Sequence, residues 1–160
     1  MATEIDLIDF DLYQLEELAD FETPPEGTYE WEGVSIKTEQ ADELKQGESE
    51  KTISMVLRFK LLQTLELKKP ETDKPLKEPV ELSIRLQLNN RTDSFFFRKQ
   101  ESTMRKFTIP VAEAYGVKTS KAVSEKFPGT KGQVTISNRN YKDADGNDKV
   151  SWDVKLVSVA

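Results

Sequence analysis

The chain contains no cysteine and no histidine among its 160 residues. The first absence excludes disulfides, thiolate metal sites and cysteine nucleophiles. The second removes the usual zinc ligand, the commonest general base and every triad of the Ser-His-Asp kind. Long hydrophobic runs are missing too: Phe95-Phe96-Phe97 is typical of the longest, far short of a membrane span. The opening Met1-Ala2-Thr3-Glu4-Ile5-Asp6 has neither the basic start nor the apolar stretch of a secretory signal. A cytoplasmic location is therefore expected, the host cytoplasm if the protein is viral, with no membrane partner. No catalytic residue, cofactor or metal is expected either.

What is present is charge, unevenly placed. The net formal charge of −6 hides a split. Residues 1–50 hold 2 Lys/Arg against 16 Asp/Glu, and residues 51–160 hold 21 Lys/Arg against 13 Asp/Glu. An acidic segment joined to a basic body is the natural reading. Residues 4–22 mix eight carboxylates with Ile5, Leu7, Ile8, Phe10, Leu12, Leu15, Leu18 and Phe21, and no base precedes Lys37. That is the composition of an interaction tail. Phe10, Leu12, Leu15 and Phe21 are its candidate partner-binding residues. Thr23-Pro24-Pro25-Glu26-Gly27 breaks the chain, which places a tail at 1–24 and a domain at 25–160.

Period-two alternation then predicts strands. Gly27 to Lys37 carries Tyr29 and Trp31 on one face, as core or as a stacking pair, with a change of phase at Gly33 that suits a bulge. Residues 51–66 place Ile53, Met55, Leu57, Phe59 and Leu61 inward. Residues 80–88 alternate Val80, Leu82, Ile84, Leu86 and Leu88 with Glu81, Ser83, Arg85 and Gln87. Ser94 to Arg98 reads as a short extension of that strand. Residues 102–127 lose the period of two and fit one or two short helices, with Pro110 at a helix start and Gly116 as a stop. Residues 130–141 and 149–159 form a closing hairpin, with Trp152 in the core. The order β1-β2-β3-α-β4-β5 is that of a five-stranded Greek-key barrel of OB type, mainly β with a short helical insert.

Other motifs are weak. Asp143-x-Asp145-x-Asn147 resembles half a calcium loop, but Asp148 stands where that loop needs glycine and Val154 where it needs Glu. A hairpin turn is the better reading. Gly129-Thr-Lys-Gly132 precedes a strand, not the helix a phosphate-binding loop requires. Glu16-Glu17 and Asp42-Glu43 read as solvated charge.

The basic body interleaves cations with rings, the combination that grips single-stranded nucleic acid: cations follow the backbone and aromatic faces stack on bases. The candidate contacts are Arg58, Lys60, Arg85, Arg91, Arg98, Lys99, Arg139 and Lys142 for phosphates, and Phe95, Phe97 and Tyr141 for bases. Arg105, Lys106 and Lys155 add to the positive field.

Four segments carry a resemblance: Pro25-Glu-Gly-Thr-Tyr-Glu-Trp31, Ala112-Glu-Ala-Tyr-Gly-Val117, Gly129-Thr-Lys-Gly-Gln-Val-Thr-Ile136 and Tyr141-Lys-Asp-Ala-Asp-Gly-Asn147. Over roughly residues 24–159 the chain resembles small phage-encoded OB-fold proteins of the single-stranded-DNA-binding type. The resemblance implies coating of single-stranded DNA in replication or recombination, without catalysis. Such proteins carry an acidic partner-binding tail at the C-terminus, whereas this chain has its acidic segment at the N-terminus. The expected role of that segment is to compete for the basic groove and to recruit replication or recombination proteins. The alternative expectation is a viral protein-interaction module, structural or host-inhibiting, with the acidic tail as its main contact.

Overall fold

The computed structural model describes residues 23–160. Phe10, Leu12, Leu15 and Phe21 lie outside the described residues. Five strands and two helices follow in the order β1 (Gly27–Gln40), β2 (Ile53–Leu67), β3 (Val80–Gln87), α1 (Phe95–Tyr115), α2 (Ser120–Lys126), β4 (Lys131–Lys142) and β5 (Asp148–Val159). The strands form one open antiparallel sheet in the order β3-β2-β1-β4-β5, so β3 and β5 are its edges.

β1 is the central strand, pairing with β2 along one side and with β4 along the other. Tyr29 and Trp31 are fully buried, which makes them core and not a stacking pair. The pairing with β2 slips between Gly33 and Ser35, the bulge expected at this glycine. Gly33 donates its N–H to the Thr130 carbonyl at 2.8 Å and accepts from the Gly129 N–H at 2.9 Å. A side chain there would collide with the Phe127 carbonyl and ring. β1 also runs past Lys37 to Gln40, because Lys37 to Gln40 find partners in Val56 to Ile53 of β2. Pairing draws polar residues into a strand that alternation alone would end earlier.

The core lies between the sheet and the helices. Trp31 packs edge-on against Phe107 at 5.1 Å between ring centres and stacks on Phe127 at 5.6 Å, while Phe59 lies 4.6 Å from Phe107. Met104, Phe107 and Val111 supply the buried stripe of α1 at the three-and-four spacing of a helix. α2 begins at Thr119, whose Oγ1 accepts from the Ala122 N–H at 3.2 Å.

The helical region departs from expectation. Ser94 to Arg98 does not extend β3; Ser94 is extended, and the helix begins at Phe95. Arg91 secures this start: Nη1 donates to Glu101 Oε1 at 3.0 Å, Nη2 donates to the Phe97 carbonyl at 3.2 Å, and the guanidinium covers the Phe97 ring. Three consecutive rings favour a strand locally, but the tertiary clamp holds a helix. Pro110 lies inside α1 and not at a helix start, and Gly116 ends the helix with φ 66° as expected.

At the end of β3 the alternation also fails. Gln87 turns inward, its side-chain amide donating to the Asn89 carbonyl at 2.9 Å, and Leu88 is exposed. The β4–β5 turn is closed by Asp143, whose Oδ1 accepts from the Asp145 and Asn147 N–H groups at 3.0 and 2.9 Å. Those amides, Asn147 first, hold its carboxyl below the usual carboxylate range. The half calcium loop is thus a hairpin turn. No helix among the described residues is long and apolar enough to cross a membrane.

Candidate nucleic-acid interface

The two edge strands do not pair with each other, and α1 packs against both of them. Between them opens a groove of about 290 Å³. β3 contributes Ser83, Ile84 and Arg85; α1 contributes Phe95, Phe96, Lys99, Gln100 and Thr103; β4 contributes Arg139; β5 contributes Trp152, Asp153 and Val154.

Three rings meet three cations here. Phe95 and Phe96 are 71% and 61% exposed although both are large and apolar. Phe96 packs edge-on against Phe97 at 5.3 Å between ring centres, and neighbouring exposed rings make a contiguous apolar patch of the kind that marks a binding surface. Trp152 stands half-buried, its inner edge against Phe59 at 6.1 Å. Lys99 Nζ reaches Asp153 Oδ1 at 2.8 Å, and Arg139 Nε lies 3.8 Å from Asp153 Oδ2. Asp153 is the one carboxylate of the lining, and it sits between two of the three cations. The first turn of α1 carries no acid, so its unpaired N–H groups add to the positive field.

Of the predicted contacts, the fold gathers Arg85, Phe95, Lys99 and Arg139 into this groove. Arg58 lies beyond it on β2, held by Glu39 at 2.7 Å, and the same Glu39 lies 3.7 Å from Arg85. Lys60 is exposed opposite Glu81, away from the groove. Tyr141 and Lys142 are exposed towards the tip of the β4–β5 hairpin, with Tyr141 two residues beyond Arg139 on the same face of β4.

The fold does not bring the rest together. Arg91 is committed to Glu101 and Phe97, and Phe97 is half-buried beneath it, so both clamp the helix start. None of Phe95, Phe96 and Phe97 joins the buried core. Arg98 lies on the other flank of α1. Two groove rings were not among the predicted contacts. Trp152 alternates with Val150 and Val154 and so reads as core, but an edge strand leaves it half-covered, and Val150 is exposed. Phe96 was passed over because a strand would set it opposite its two neighbours.

No protein-family model matches the chain, and no curated protein matches it in sequence.

Proposed function

We propose that the chain is a non-catalytic single-stranded-DNA-binding protein built on an OB-type barrel, which coats single strands during replication or recombination. The observation that carries the reading is the meeting of Trp152, Phe95 and Phe96 with Arg85, Lys99 and Arg139 in one open groove. Rings stack on any base, each worth roughly 1–3 kcal/mol, and cations beside them neutralise phosphates. The sheet order supports the barrel assignment: it is that of a five-stranded OB barrel parted between β3 and β5, with the helix after β3. Arg58 on one side, and Tyr141 and Lys142 on the other, extend the path a strand would follow, whereas Lys60 lies off it. The acidic segment before Thr23 lowers the net attraction for DNA and offers partner proteins an acidic, apolar contact.

Fluorescence anisotropy with a labelled oligo-dT at two salt concentrations tests the reading. Binding that weakens steeply with salt is expected. A flat titration of the intact chain and of a chain lacking residues 1–22 would overturn it.

A further inference from the structure

A second groove, about 490 Å³, lies on the opposite flank of α1 from the rings. Its cations are Arg98, Arg105 and Lys106 from α1 and Lys155 from β5, and its apolar lining includes Ile109 and Leu156. Lys106 is partly committed, since its Nζ donates to the Val154 carbonyl at 2.8 Å. Arg105 and Lys155 make no ion pair among the described residues. Leu156 is 67% exposed and Ile109 48% exposed.

This lining differs from that of the first groove in kind. It has four cations and branched aliphatic chains, one carboxylate (Glu101, paired with Arg91 at 3.0 Å) and no aromatic ring. Phosphates would find charge here, yet bases would find nothing to stack on. A peptide that mixes carboxylates with Leu and Ile satisfies both halves of the lining. The chain has such a peptide: residues 4–22, with eight carboxylates, no cation and six Leu or Ile residues.

The attachment point also fits. Thr23 Oγ1 donates to the Val150 carbonyl at 3.3 Å, so the segment leaves the body beside β5. Val150 to Leu156 is six residues of strand, about 20 Å at a rise of about 3.4 Å. Leu15 lies eight residues before Thr23, enough chain to span about 26 Å when extended.

We propose that the groove between α1 and β5 is the docking site of the chain's own acidic segment, with Leu12 and Leu15 against Leu156 and Ile109, and Glu16 and Glu17 near Lys155 and Arg105. Docking is independent of nucleic acid. Only its consequence, a weaker positive field at the neighbouring DNA groove, rests on the function proposed above.

Zero-length carbodiimide coupling of the intact protein, without nucleic acid, tests the docking, because it joins only carboxylates and amines already in contact. Peptide mapping should find cross-links from residues 4–22 to Lys155 ahead of all other lysines. Leu156→Glu should cut that yield at least severalfold while leaving the thermal midpoint in place, since Leu156 is largely in water. Cross-links shared evenly among surface lysines, or directed to Lys99, would overturn the proposal. So would cross-links found only between chains in a mixture of isotopically light and heavy protein, which would make the occupant a second copy. None of these outcomes depends on whether oligo-dT binds.

Discussion

Lys99 and Asp153 meet at 2.8 Å across the open edge of the sheet, and Arg139 approaches the same carboxylate at 3.8 Å. The pair joins α1 to β5 beside Trp152 and holds two cations at the mouth of the ring-lined groove. It also restrains them, because a carboxylate already occupies the place a phosphate would take.

Asp153→Asn should therefore tighten oligo-dT binding and steepen its salt dependence. Each cation released to a phosphate adds roughly 0.7 to the slope of log affinity against log salt for single strands. Lys99→Ala should weaken binding and make the slope shallower by a similar amount. Anisotropy titrations across a salt series measure both.

Phe107 touches Trp31 and Phe59 and is fully buried. Phe107→Ala should cost about 3–5 kcal/mol, combining lost transfer energy with a cavity that the surrounding rings cannot fill. Chemical denaturation would register this as a lower midpoint. Phe95→Ala, at a position mostly in water, should leave the midpoint within about 0.5 kcal/mol of the parent.

Gly33 is enclosed by the Phe127 turn, so Gly33→Ala should destabilise the domain by forcing β1 and that turn apart. Gly47 has open space about it, but its φ of 84° favours glycine for a different reason. Gly47→Ala should cost only the roughly 1 kcal/mol of a left-handed residue in a loop. Thermal melts of the two variants separate steric exclusion from backbone preference.

Glu26 accepts from the Asn138 N–H at 2.8 Å and pairs with Lys68 at 3.2 Å. The Asn138 amide first, and Lys68 next, hold its carboxyl below the ordinary value. A carboxyl depressed in the folded state stabilises the fold above its unfolded pKa, and that contribution disappears as pH falls through the folded value. Glu26→Gln should thus be less stable than the parent at neutral pH. The gap should narrow as the solution is acidified through the carboxylate range, as melts from pH 7 to pH 3 would show.

The strands were legible where one face lies in the core and one outside it, as alternation then records; on β2 it fails at the start, where Ser54 and Val56 are buried and the expected Ile53 and Met55 only half-buried. Leu82 and Ile84 on β3, and Val134 and Ile136 on β4, follow the pattern residue by residue. The start of α1 was not legible, because Phe95 to Phe97 owe their helical state to Arg91 and Glu101, a contact alternation does not encode. Pro110 reads as a helix start since only there is its missing N–H harmless; packing of Phe107 and Val111 on either side overrides that preference. The site was legible in residue type but not in partnership. Arg58, Arg91 and Arg85 look alike in sequence, yet Glu101 commits Arg91 to the helix start, and of the two arginines beside Glu39 only Arg85 lines the groove. Trp152 packs against the core as its alternation indicates, but alternation cannot reveal that its strand lies at an edge, which leaves the ring half-exposed.

The most direct measurement is the affinity for oligo-dT of the intact protein, Trp152→Ala and Phe95→Ala, at fixed low salt, with folding confirmed by thermal melts. Loss of a stacking ring worth roughly 1–3 kcal/mol predicts affinity reduced about 5- to 150-fold in each folded variant. Unchanged affinity in both would contradict the assignment of this groove to single-stranded DNA.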